Sequence, residues 1–215
     1  MLSLLSRKFS HKIFQKALFL VTTLSITTTA YCAETDTPKT ELPKESETAK
    51  PTQTPLSEGA SIVSKEGHFS VKLPNGFTTI DNDVQPIQTE MGEIETINYT
   101  SFTDTSACMA GASEYPEALL VFIKGKEKEV LDGAQEGALK NVNGTVVSSK
   151  DSTVEKLPAR EVEFTAEADG QPLFGKALFI LADSRLYHLL FISSSHSELD
   201  SSEVTKFFNS FKIID

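Results

Sequence analysis

From residue 67 onward the chain is written in short stretches whose apolar positions recur at two different periods. "HFSVKLP", residues 68–74, sets Phe69, Val71 and Leu73 against His68, Ser70 and Lys72, the alternation of a strand with one wet face. Pro74-Asn75-Gly76 ends it as a turn. Extended runs over 77–85 and 94–102 follow, and the unbroken apolar run "ALLVFI", 118–123, predicts a central strand. The period then changes. In "KEKEVLDGAQEGALKNV" Val130, Ala134, Ala138 and Val142 recur every fourth residue with Leu131 beside them, which predicts an amphipathic helix. Gly133 and Gly137 weaken that helix by about 1 kcal/mol each relative to alanine, so docking has to hold it. Asn143-Gly144 closes it as a left-handed cap.

Strands are predicted again at 145–149 and 159–168. In "REVEFTAEA" Val162, Phe164 and Ala166 face inward, while Glu161, Glu163, Thr165 and Glu167 face water. After the Asp169-Gly170-Gln171-Pro172 turn comes "KALFILADSRLYHLLFISSS", residues 176–195, apolar at alternate and intervening positions alike. A tight turn at Asp183-Ser184 sets Ile180 opposite Tyr187 and Phe179 opposite His188. A sheet with one side in water would not tolerate that composition, so these two strands belong in the middle, covered on both faces. Residues 197–211 predict a last helix with Val204, Phe207, Phe208 and Phe211 on one stripe. The order is four strands, helix, four strands, helix, with turns too short for parallel crossovers. The fold class is therefore α+β: a central antiparallel β-sheet packed between α-helices.

The amino-terminal part obeys other rules. Residues 1–33 carry Arg7, Lys8, Lys12 and Lys16 without an acid, then an apolar block over 17–26, then small residues up to Ala33. That is the layout of a secretory signal peptide, with cleavage after Cys32 or Ala33. The apolar block is shorter than the ~20 residues of a membrane span. Three other readings compete: a lipid on Cys32, opposed by bulky Tyr31 before it; an uncleaved anchor; and an organelle transit peptide, opposed by the discrete apolar block. Residues 34–58, with Pro38, Pro43, Pro51 and Pro55 among Thr, Lys and Glu, form a linker that cannot bury enough surface to order itself. Residues 59–215 then suit one domain.

Charge narrows the partners. The chain carries −10, and loss of residues 1–33 removes four cations and no acid, leaving −14. Phosphate backbones are repelled, which argues against nucleic acid. Membrane contact is left to an uncleaved signal or a lipid on Cys32. Of two cysteines, Cys32 goes with the signal, so Cys108 has no disulfide partner within the mature chain. Its small neighbours put it in a loop between strands, as an inert thiol.

Chemistry is sparse. There is no GxSxG elbow, P-loop, GxGxxG or calcium-loop pattern. His68 and His196 show no metal spacing to any partner, and His188 falls among aliphatic and aromatic neighbours, where a neutral ring with one hydrogen-bond partner is expected. No catalytic, cofactor or metal residue is assigned, and no enzyme activity is expected. The rival is a small-ligand binder or enzyme with a cleft near His188, lined by Tyr187, Tyr115 and Asp104. Asn98 and Asn143 stand in N-x-T triplets, acceptors for sugar only in a eukaryotic secretory route.

"GHFSVKLPNGF", "LPAREVEF", "DSRLYHLLFIS" and "FFNSFKI" together resemble the PsbP-like domains, relatives of the Mog-type Ran-binding proteins and of many bacterial exported proteins. The resemblance spans residues 67–213 and its motifs are structural. It implies an antiparallel sheet between helices and an accessory or assembly role rather than catalysis. No photosystem-docking residue is matched, and the Ran-binding branch conflicts with an export signal. The partner implied is another envelope or secreted protein.

Overall fold

The computed structural model describes residues 60–89 and 92–214. The signal peptide expected over residues 1–33 and the linker expected over residues 34–58 lie outside the described residues. No helix among the described residues is long and apolar enough to cross a membrane.

Two antiparallel sheets form. The larger, seven-stranded sheet runs in the order β3 (Asp81–Thr89), β4 (Gly92–Phe102), β5 (Ser106–Glu114), β9 (Arg185–Ser193), β8 (Gln171–Ala182), β7 (Leu157–Ala168), β6 (Thr145–Val154). The smaller joins β1 (Ser61–Ser64), β2 (Phe69–Lys72) and β10 (Lys212–Ile213) in that order. Helices α1 (Glu117–Ile123) and α2 (Glu127–Asn141) connect β5 to β6, and α3 (His196–Leu199) and α4 (Ser202–Asn209) connect β9 to β10. The class is α+β.

Both faces of the large sheet are covered. On one, Leu119 of α1 and Leu131 and Ala134 of α2 pack with Met109, Phe164, Phe179 and Leu190. On the other, the small sheet and α4 bring Phe69, Val71, Val204 and Phe207 onto Ile180, Tyr187, Leu189 and Phe191. Phe69, Tyr99, Tyr187 and Phe211 form a ring cluster there, with Phe69 stacked on Phe211 at 6.0 Å and Tyr187 edge-on to Phe211 at 5.2 Å. The helices on both faces match the expected layering. The small sheet, whose strands β1 and β10 have no clear sequence pattern, shares the second face with α3 and α4.

The β8–β9 hairpin has the expected register, with Ile180 opposite Tyr187 and Phe179 opposite His188. Helix α2 ends as expected: Asn143 takes φ 49°, the Gly144 N–H bonds the Leu139 carbonyl at 2.8 Å and the Asn143 N–H bonds that of Lys140. Those two bonds satisfy carbonyls the helix would otherwise leave open.

Three expectations are corrected. "ALLVFI" is not a central strand but most of α1, which Pro116 opens in an extended conformation and Glu117 follows in the first turn. A short apolar run satisfies either period, and here Leu119, Leu120 and Ile123 make the buried side while Val121 and Phe122 stay exposed. The central strand is instead β5, "SACMAGASE", buried from Ser106 to Ser113. Cys108 is therefore fully buried within that strand rather than in a loop, and burial pushes its thiol far above the usual range. Small residues are needed there because larger ones from neighbouring strands fill the space. A methyl group built on Gly111 would fall 2.5 Å from the Ile97 carbonyl oxygen and 2.6 Å from Asn98 Oδ1, and closer still to His188 Nε2. Third, the last helix is two short ones, α3 and α4, with Phe211 beyond them.

Candidate functional site

His188 sits at the middle of β9, on the face shared by Leu186 and Leu190. Register lines it up with Gly111 of β5 and, one strand further, with Asn98 of β4. Gly111 has no side chain, so the ring reaches across it, and Nε2 meets Asn98 Oδ1 at 2.8 Å. Desolvation lowers the imidazole pKa to about 4. The ring is neutral at ordinary pH, and donates from Nε2 to the amide oxygen. Asn98 is only 3% exposed, and its Nδ2 finds no partner. A side chain so enclosed is no sugar acceptor.

The residues expected to share a cleft with His188 do not meet. Tyr187 points to the opposite face, toward Phe69 and Phe211. The Tyr115 N–H bonds Ser184 O at one end of β5, whereas Asp104 lies in the turn at the other end. Tyr115 is buried, which raises its phenol pKa. His68 occupies a turn at φ 56°, and His196 packs edge-on against Phe174 at 5.3 Å. Among the described residues no three His, Cys, Asp or Glu side chains gather as metal ligands.

On the same row toward the other edge, Phe179 opposes His188 and Arg160 opposes Phe179. The Arg160 guanidinium is buried and donates to Asp151 Oδ1 from Nε at 2.8 Å and Nη2 at 2.7 Å, and to Asp132 of α2 from Nη1. It ties β6 and α2 to the sheet. A further polar cluster also serves as a fastening. Ser106 and Ser193 both donate to Glu198 Oε2, the latter at 2.8 Å, which holds α3 to β5 and β9. The shallow depression beside it, about 330 Å³, has that carboxylate already engaged.

What stays open is the β6 edge. The two outer strands of the large sheet differ. β3 carries Asp81 and Asp83 and has Pro86, without an N–H, in its middle, devices that blunt an edge. β6 reads "TVVSSKDSTV" and is exposed over most of its length, with Val146 42% and Val147 60% exposed and a register shift between Val146 and Ser148. At its far end Thr153 and Val154 border a groove of about 360 Å³ under α4. Val154, Leu178, Leu199 and Phe208 give the groove apolar walls, with Glu161 and Lys176 beside them. Glu161 pairs with Lys150 at 3.0 Å, and Lys176 with Glu163 at 3.1 Å and Asp200 at 3.8 Å. The sequence pattern identified β6 as a strand but not as an edge, and it put Phe208 on the buried stripe, whereas Phe208 is only partly buried and turns to the groove.

No protein-family profile matches the chain, and no curated protein does. Solved structures do match. PsbP of the cyanobacterium Synechocystis is similar at 9% identity with a TM-score of 0.47, over 72% of this chain and 91% of that one. LpqN of Mycobacterium tuberculosis, involved in cell envelope biogenesis, is similar at 10% identity and a TM-score of 0.38, over 76% and 91%. The immunity protein TplEi of Pseudomonas aeruginosa, complexed with a peptide, is similar at 13% identity and a TM-score of 0.32, over 71% and 57%. PsbP is also the family whose motifs the sequence resembles. At these identities no functional residue, partner or role passes from them to this chain.

Proposed function

We propose that this is a non-catalytic protein-binding module of an exported, envelope-associated protein, and that it takes up an extended segment of another protein along β6. The observation that carries the reading is the proline-free outer strand β6: ten residues with two neighbouring exposed valines and a groove at its end. An added strand would complete the main-chain ladder, each hydrogen bond contributing about 1 kcal/mol net, while Val146 and Val147 supply apolar contact. The enclosure of His188 and the engagement of Arg160, Glu198 and Lys176 in structural pairs favour binding over catalysis. Export rests on the layout of residues 1–33, and the envelope or secreted partner follows from it.

The test is a photo-crosslinking residue in place of Val147, with one in place of Val84 on the guarded edge as control, both in the full chain. Discrete adducts with an envelope fraction are expected from Val147 alone, to vanish when Val146→Lys is added, and to coincide with slowed hydrogen exchange across β6. The same adducts from both positions, or none from Val147, would overturn the reading.

A further inference from the structure

The groove under α4 opens where β6 ends, so a segment lying along β6 passes its mouth. We infer that the groove receives a large apolar side chain of that segment, and that a basic residue stands beside this anchor. The inference rests on the β6 reading and states the chemistry of its partner.

Size comes first. About 360 Å³ is at the low end for a small-molecule site and fits one or two bulky side chains. The walls agree. Val154, Leu178, Leu199 and Phe208 come from three separate parts of the fold, the end of β6, the middle of β8 and the two helices. An apolar group entering there exchanges water for contact on several sides, at about 25 cal/mol per Å² of apolar surface covered. Phe208 is placed for this by helix geometry: Thr205 and Asn209, a turn apart on α4, flank it at the rim and are exposed.

Glu161 and Lys176 line the groove, and the charge they and their ion-pair partners bring beside it is uneven. Lys150 is matched to Glu161, and Lys176 is held between Glu163 and Asp200. Three carboxylates face two ammonium groups, and Asp200 is the least engaged, at 3.8 Å from Lys176 with its side chain 72% exposed. The chain as a whole is at −10. A lysine or arginine next to the anchor meets Asp200, whereas an acidic neighbour meets unbalanced negative charge.

A random peptide library displayed against the full chain tests this, with enriched peptides then measured in solution by fluorescence anisotropy. Enriched peptides are expected to share one large apolar residue with a basic neighbour. Replacing that apolar residue by alanine should weaken binding by about tenfold or more. Asn209→Trp, which fills the groove from its exposed rim, should abolish that difference, and Asp200→Lys should remove the basic preference. Thr205→Trp serves as a second filling variant if Asn209→Trp melts lower than the parent. If enriched peptides lose binding to Val146→Lys but ignore both filling variants, the groove inference fails and the edge reading stands. If no peptide is enriched, or binding survives Val146→Lys, the edge reading fails as well.

Discussion

The middle of the large sheet and its β6 edge are both extended backbone, yet their side chains are spent in opposite ways. In β9 all but Arg185 are buried, and even the imidazole of His188 is enclosed and bonded to Asn98. In β6 nearly every residue is exposed, and the sequence there is valine, serine and threonine with one ion pair's worth of charge. The histidine of the middle strands is thus enclosed, with Asn98 as its hydrogen-bond partner. The β6 surface proposed for a partner is mostly valine, serine and threonine. On the reading proposed above, the unpaired backbone of β6, rather than a reactive side chain, carries the function.

The sharpest way to break that contrast is at Gly111. Gly111→Ala puts a methyl group against the Ile97 carbonyl, the Asn98 amide and the His188 ring at once. One of these is backbone and the other two are locked together, so none can yield cheaply. The expected loss is more than about 3 kcal/mol, read as a large fall in melting temperature or as failure to fold. A change comparable to that of a β6 surface substitution would mean the centre is not packed as described.

Next in size is the response to acid. The His188 imidazole titrates at about 4 in the folded chain against 6.5 as a free group, so the unfolded chain takes up the extra proton first as pH falls. Its contribution is intact above about pH 6.5, is lost progressively down to about pH 4, and does not change further below that. The loss amounts to about 3 kcal/mol across the window. Denaturant melts at pH 7 and pH 5 should differ by about 2 kcal/mol of that in the parent and much less in His188→Gln, whose amide has no such proton to gain. An unchanged pH dependence in that variant would show the ring to be exposed to water.

The middle of the sheet was the part most legible in sequence, for a local reason. Asp183-Ser184 is a two-residue turn, so pairing across the β8–β9 hairpin follows by counting, and doubly apolar strands announce that both faces are covered. The same logic worked for α2, where the cap at Asn143 is written beside the helix it ends. It failed at β5, because Ala107, Cys108, Ala110 and Gly111 are small for the sake of His188 and the rings on the far face, and those neighbours are distant in sequence. It failed again at "ALLVFI", too short to reveal its period. The candidate site was illegible for a related reason. Nothing local says that β6 pairs with β7 alone, or that α4 comes down beside Val154.

Arg160 joins the two regions, and its removal should be felt between them. Its guanidinium is buried, but Asp151 and Asp132 are exposed on their far sides, so Arg160→Gln leaves no carboxylate stranded in the interior. The expected cost is about 1 kcal/mol. The more telling readout is local. Amide exchange should quicken in β6 and in the first half of α2, while β9 keeps its protection. Uniform loss of protection would mean that β6 unfolds only with the whole domain and is not separable from the centre.

The smallest expected change in stability is at the edge. Val146→Thr with Val147→Thr keeps β-branched side chains on a strand and removes only part of a surface already exposed, so melting should shift by less than about 0.5 kcal/mol. Binding along β6 should fall all the same, because both valines lie in the contact. The guarded edge supplies the matching control: Val84 is 51% exposed, as open as its counterparts, yet Val84→Thr should leave binding untouched. Exposure of a valine is common to both edges, whereas Pro86 belongs to β3 alone. If the β3 substitution weakened binding as much as the β6 pair, exposed valine rather than unpaired backbone would be the determinant, and the two edges would have to be treated as equivalent.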